Sequence, residues 1–196
     1  MRPAVEAVFR LDATFAEIVA ETTEPMVGTI RLAWWREALE QLDREPAPAE
    51  PRLRAVADHV LPRHLSGTRL SQIEDSYAAL LTEPVDLERV GAGGARMFEA
   101  VATLLGSDDP MLGTAGRLAM LARVRGLVPD DVKPAARSLM RDLRGHSFSR
   151  PLRPLTLLAR LAARDMLRTE PEPEATPGRA FAMLSHRLSG KVTGNA

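Results

Sequence analysis

Apolar residues recur at helical spacing along almost the whole of this chain, and that periodicity limits the folds open to it. In the first periodic segment, Val5, Val8, Phe15 and Ile18 fall on one side of a helix. No segment alternates apolar and polar residues as a half-buried strand does. With 196 residues, of which 45% are hydrophobic, the chain is long enough to bury a core. The sequence therefore predicts an all-α bundle that forms a single domain over residues 1–196.

Proline and glycine separate the periodic segments and predict where the helices begin and end. We expect Pro25 and Gly28 to interrupt the first helix, and Gly106 to cap the C-terminus of the helix 86–105. Asp109 is expected to be the N-cap of a helix with Pro110 at its first position. The predicted helices are residues 3–22, 29–43, 52–61, 69–81, 86–105, 110–126, 132–144, 151–167 and a last helix that ends at Gly190. Further predicted features are caps at Asp130 and Asp131, a stop at Gly145, and proline-rich linkers near 45–51 and 169–177.

The same pattern predicts which side chains face the core. The expected inward residues are Ile30, Trp34, Trp35, Ala38, Leu39 and Leu42 in the second helix, and Leu152, Leu155, Leu158, Leu161 and Ala162 in the helix that starts at Pro151. The glycine-rich segment Gly91–Gly94 is interpreted as a hinge at the start of a helix. Glu74 and Asp75 are expected on a solvated helix surface, and Arg36 is expected to pair with Glu40 one turn further on.

Charge and cysteine content exclude several classes of function. The chain carries 26 basic and 26 acidic residues, so no basic excess indicates a nucleic acid partner. It has no cysteine, which excludes disulfides, thiolate catalysis and cysteine-based zinc sites. Neither a run of about 18 apolar residues nor a signal-like apolar start is present. We therefore expect a cytoplasmic protein without a transmembrane segment, and peripheral contact with the inner membrane stays open.

One segment carries a specific motif. Residues 24–40 read EPMVGTIRLAWWREALE, which resembles the EP-x-x-G-x-I-R-L-x-WW-R-x-A-L block of the squalene/phytoene synthase family. The segments 8–19, 153–159 and 185–190 are similar to a divergent branch of that family, related to a mitochondrial complex I assembly factor. The resemblance implies the helical isoprenoid synthase fold, in a shortened form.

The resemblance also implies where the chemistry of the family would lie. Active members condense two prenyl diphosphates head to head, and two D-x-x-x-D pairs on facing helices hold the Mg²⁺ ions that bind the diphosphate. In this chain the first pair falls on Ala16 and Ala20, and the second on Val124 and Val128. The resemblance therefore implies a degenerate member with no catalytic residue, no metal ligand and no cofactor.

Five residues remain as candidates for substrate binding. Glu17 survives beside the first lost pair, and Arg31 and Trp35 belong to the tryptophan block. Arg117 takes the position of a family glutamine, and Arg123 matches a family arginine. Trp35 would line a lipid-binding cavity, although core packing is the alternative for a helical tryptophan. Arg31 would contact an anionic headgroup, although a pair on the helix surface is the alternative.

The resemblance implies a non-catalytic protein that binds a lipid or prenyl chain in an apolar cavity. The related branch adds a second form of this prediction, in which the protein helps to assemble a respiratory complex or another protein partner. One alternative is an active, Mg²⁺-dependent prenyl-diphosphate transferase whose acids are displaced from these positions. The other is a pure protein-interaction module with a filled core.

Overall fold

Most helices predicted from periodicity are present in the computed structural model, which describes residues 1–128, 132–170 and 172–193. All regular secondary structure in these ranges is helical, and they contain no strand. The predicted caps Asp130 and Asp131 lie outside the described residues. No described helix is long and apolar enough to cross a membrane.

The helices range from 5 to 20 residues in length. Their bounds are α1 Arg2–Glu21, α2 Pro25–Gln41, α3 Pro51–His59, α4 Gly67–Ser71, α5 Glu74–Ala78, α6 Leu87–Leu105, α7 Leu112–Arg123, α8 Val132–Asp142, α9 Arg153–Met166 and α10 Pro177–Ser189. Short 3₁₀ turns lie at Leu61–Arg63, Ala79–Leu81 and Arg150–Leu152. The predicted proline-rich linkers connect α2 to α3 and α9 to α10.

The predicted helix ends are correct at Gly106 and Gly190, whereas α7 and α8 end earlier than predicted, at Arg123 and Asp142. Gly106 follows α6 with φ of 63°, and Gly190 follows α10 with φ of 72°. This left-handed conformation costs little for a residue without a Cβ, and it ends the helix. Asp86 caps the other end of α6, where its carboxylate accepts bonds from the backbone N–H groups of Glu88 and Arg89.

Other predicted boundaries are wrong. Pro25 starts α2 at the first helical position, where its missing N–H costs nothing, and Gly28 is buried inside that helix. The predicted helix 69–81 is divided into α4, α5 and a 3₁₀ turn. Asp109 does not cap α7 directly, because α7 begins only at Leu112. The Asp109 side chain instead accepts a bond from the Met111 N–H in the preceding turn.

The buried faces of two helices also differ from the prediction. α2 buries Leu32, Trp35 and Leu39, whereas Ile30 and Trp34 are exposed. The tryptophan pair and Ile30 span too wide an arc of the helix to face one core, since successive residues are about 100° apart. In α9, Leu158 is exposed, because its side of the helix borders an open groove instead of another helix.

The segment Gly91–Gly94 is a packing surface and not a hinge. It lies inside α6, which packs most extensively on α7. A Cβ added at Gly94 would lie 2.3 Å from the carbonyl oxygen of Gly116, and one added at Gly93 would lie 2.2 Å from the Ser76 side chain. The glycines therefore let α6 approach α7 and α5 at backbone distance.

Glu74 lies in the interior, contrary to the prediction of a solvated surface. It is 1% exposed and accepts a hydrogen bond of 2.8 Å from Nε of Arg36. Arg36 therefore pairs with Glu74 and not with Glu40, and this bond raises the pKa of Arg36. Asp75 is half-buried and paired with Arg89 at 2.7 Å. The i,i+4 prediction was wrong because α5 brings a buried carboxylate to α2.

Candidate functional site

A groove of about 340 Å³ lies over the packed surfaces of α6, α7 and α9, with further lining from α1 and α10. Its apolar lining includes Phe9, Met97, Phe98, Met120, Leu158 and Leu161. Its charged lining consists of Arg123, Asp165 and Arg179. The groove is therefore mainly apolar, with a few cationic and anionic groups beside the apolar surface.

The small residues of α6 and α7 create this groove. Gly94 and Gly116 bring the two helices together, and Ala119 and Ala122 line the groove with short side chains. Leu158 of α9 lies at its exposed boundary. A larger side chain at any of these alanines would occupy part of the groove volume.

A buried polar cluster adjoins the groove and joins three helices. Asp12 of α1 accepts a hydrogen bond of 2.5 Å from the Tyr77 hydroxyl of α5. Asp12 also forms an ion pair with Arg123, in which Nη1 lies 2.5 Å from the carboxylate. Nη2 of Arg123 also donates to the Tyr77 oxygen. Asp12 and Tyr77 are both buried, so each polar atom finds its partner within the cluster.

Burial and neighbouring charges fix the protonation states of Tyr77 and Arg123. Burial raises the pKa of Tyr77 above its ordinary value, and the charge of Asp12 raises it further, so the hydroxyl keeps its proton. Burial by itself lowers the pKa of Arg123. The charge of Asp12 and the hydrogen bonds to Asp12 and Tyr77 outweigh that effect and hold the pKa above its usual value. The Tyr77 hydroxyl therefore stays neutral, and the guanidinium of Arg123 stays charged.

The guanidinium of Arg123 has N–H donors beyond those that bind Asp12 and Tyr77. Its side chain remains 42% exposed, although two of its nitrogens bind Asp12 and Tyr77. A guanidinium carries five N–H donors in one plane, so donors on its exposed side can reach a ligand in the groove. Arg179 is less available, because its Nη1 donates to both carboxylate oxygens of Asp165 at 2.9 Å.

The structure separates the five residues predicted to bind substrate. Arg123 lines the groove, whereas Trp35 is buried in the core against Phe15, with ring centroids 6.3 Å apart. Core packing, the alternative interpretation of Trp35, describes its position. Glu17 and Arg31 are exposed residues with loose partners, each 3.9 Å away, in Arg52 and Glu21 respectively.

Arg117 lies at a different surface from Arg123, although both belong to α7. It pairs with Glu88 and lines a separate, more polar depression of about 780 Å³ together with Arg69 and Glu99. The two arginines therefore cannot bind one small ligand together.

The positions implied for the metal-binding acids are not arranged as two facing pairs. Ala16 packs against the core and Ala20 is exposed. α7 ends at Arg123, so Val124 and Val128 lie in the turn after it rather than on one helix face. In the described ranges, no three His, Cys, Asp or Glu residues come together as a metal-binding group.

Sequence reasoning missed three members of the site region. Tyr77, Asp165 and Arg179 do not belong to any motif identified in the sequence. Asp165 of α9 and Arg179 of α10 pair with each other across the connection between these helices. The signal for Tyr77 was available, because it is the single tyrosine of the chain and lies in an apolar segment. A buried hydroxyl requires a hydrogen-bond partner, which Asp12 provides.

Comparisons with known proteins do not add an identity to this geometry. The chain matches no protein-family model, no curated protein and no solved structure.

Proposed function

We propose that this protein is a divergent, non-catalytic relative of the squalene/phytoene synthases that binds an isoprenoid or similar lipid chain. The main support for this proposal is the apolar groove, whose lining includes the partly exposed guanidinium of Arg123. The tryptophan block and the all-helical fold support the family part of the proposal, and a fold by itself does not define a function.

The size and chemistry of the groove suit such a ligand. Its volume of about 340 Å³ falls at the lower end of the range of about 300–1,000 Å³ that is typical of small-molecule sites. Phe98, Met120 and Leu161 would bury the hydrocarbon chain. Arg123 would bind an anionic headgroup through its free donors, because guanidinium groups bind phosphate and carboxylate in a forked geometry.

Binding without turnover is the form that these residues support. Departure of a diphosphate requires paired carboxylates that hold Mg²⁺. The carboxylate nearest to the groove arginine is Asp12, and both of its oxygens are engaged by Tyr77 and Arg123. Ala16 and Val124 place no acid where the family pattern requires one.

The test measures binding of farnesyl diphosphate and farnesol by calorimetry. Ala119→Trp should occupy the groove and weaken both ligands at least roughly tenfold, and Ala180→Trp on exposed α10 is the matched control. The wild-type protein should prefer the diphosphate because of Arg123.

Three results would oppose the proposal. Mg²⁺-dependent release of diphosphate would establish the transferase alternative. Equal binding by the two tryptophan variants would place the ligand outside the groove. Absence of binding, together with a pull-down that enriches respiratory-complex subunits, would favour the assembly role.

A further inference from the structure

The outward side of α10 presents large apolar residues that no element of the described ranges covers. Phe181, Leu184 and Leu188 recur at intervals of three and four residues and form one stripe, and Phe181 and Leu188 are 74% and 72% exposed. The buried side of the same helix carries Ala182 and His186. The usual arrangement of an amphipathic surface helix is therefore reversed.

Polar contacts hold α10 in this orientation. The buried His186 ring has Nε2 at 3.1 Å from the Thr156 hydroxyl and Nδ1 at 2.9 Å from the Lys191 carbonyl. Nη1 of Arg153 donates to the carbonyls of Arg187 and Leu188 at 2.9 and 3.0 Å. Rotation of α10 to bury its apolar stripe would break these bonds, so the exposed stripe is a stable feature of the fold.

The surroundings of the stripe are basic. A depression of about 850 Å³ between α9 and α10 is lined by Leu157, Leu184 and Leu188, with the exposed Arg150 and Arg187 beside them. α10 itself contains no acidic residue. Exposed apolar side chains therefore lie next to exposed arginines.

The zero net charge of the chain conceals a division along the sequence. Residues 132–196 contain twelve Arg and Lys residues and five Asp and Glu residues, a net charge of +7. Residues 1–131 contain fourteen basic and twenty-one acidic residues, a net charge of −7. The basic excess therefore lies in the part of the chain that carries α10, although the whole chain is neutral.

We propose that the stripe Phe181, Leu184 and Leu188, with Arg150 and Arg187, docks on an anionic lipid surface. A bilayer interface accepts projecting apolar side chains without a complementary shape, and anionic headgroups supply the charge that the arginines require. This docking is independent of ligand binding in the α6–α7 groove, so either proposal can fail alone.

The test is flotation of the full-length protein with phosphatidylcholine vesicles, with and without phosphatidylglycerol. The wild-type protein should float only with phosphatidylglycerol, and binding should fall as salt screens the arginines. The double variant Phe181→Ser/Leu188→Ser should reduce the bound fraction at least roughly tenfold. Arg150→Gln/Arg187→Gln should weaken binding and reduce its salt dependence.

Matched controls change similar residues elsewhere. Met26→Ser/Ile30→Ser removes exposed apolar side chains from α2, and Arg44→Gln removes an exposed arginine. Both should float like the wild type, and circular dichroism should be unchanged in every variant. The proposal is overturned if the wild type does not bind anionic vesicles or if α10 variants bind like the controls. It is also overturned if the stripe only mediates self-association, seen as a dimer that Phe181→Ser/Leu188→Ser dissociates.

Discussion

Asp12, Tyr77 and Arg123 satisfy one another's polar groups inside the bundle, although 111 residues separate the aspartate from the arginine. Their roles are unequal, because Asp12 is buried whereas Arg123 reaches solvent. Removal of Asp12 leaves a cation that water can solvate. Removal of Arg123 leaves a buried carboxylate without its counter-charge, which lowers the free energy of unfolding more than removal of Asp12 does.

We predict that Arg123→Met lowers the free energy of unfolding by about 3 kcal/mol, because the charge of Asp12 loses its partner in the interior. Asp12→Asn should cost less, about 1–2 kcal/mol, since Arg123 remains partly solvated. Urea unfolding followed by circular dichroism measures both changes.

The double variant provides the control for this residue-scale prediction. Asp12→Asn combined with Arg123→Met removes both charges, so its loss should be clearly smaller than the sum of the two single losses. Strict additivity would show that the ion pair contributes no coupling energy, and our account of the cluster would then be wrong.

At the scale of elements, contact between α6 and α7 depends on glycine. Gly94 and Gly116 face each other, and a Cβ at either position would approach the opposite backbone to less than 2.5 Å. Backbone atoms cannot move aside as the end of a flexible side chain can. Gly91, in the same helix, faces ordinary contacts of 3.6 Å or more with the Arg117 side chain.

We predict that Gly94→Ala destabilises the protein by about 1–3 kcal/mol, because the added methyl group forces α6 and α7 apart. Gly91→Ala should instead stabilise it by about 0.5–1 kcal/mol, since alanine loses less conformational entropy in a helix. Thermal and urea unfolding of the two variants measure this difference in sign. Stabilisation by both substitutions would refute the close contact.

At the scale of the whole molecule, one apolar core joins the N-terminal and C-terminal helices. It extends from Ala4 in α1 to Met166 in α9 and includes Val192 beyond α10, but it contains no residue of α10 itself. Both tryptophans lie in α2, so their fluorescence reports on the N-terminal half, whereas far-UV circular dichroism reports on all helices.

We predict that these two signals change together in urea, with the same midpoint and slope, because a shared core makes unfolding cooperative. Emission of Trp34 and Trp35 at increasing urea concentration is compared with ellipticity on the same samples. An earlier fluorescence transition would indicate that α1–α5 unfold separately from α6–α10, contrary to the continuous core.

Much of the fold was predictable because helix formation depends on local information. Periodicity correctly indicated an all-α chain, and Gly106 and Gly190 marked helix ends since only their own backbone conformation was involved. Boundaries failed at α4 and α5, where packing divides a periodic segment. Of the candidate site residues, only Arg123 lies in the groove, and the motif that suggested it contained no information on Asp12 or Tyr77 as its partners.

The helical character of the chain, the approximate ends of most helices and the charges can be read from neighbouring residues, because these properties are local. The burial of Glu74, the cluster of Arg123 with Asp12, and the outward position of Phe181 and Leu188 follow from the packing of the helices. Those outcomes depend on which helices become neighbours. A helix with two possible faces is oriented by the bonds it can satisfy against its partner, and for α10 those are the bonds of His186 and Arg153.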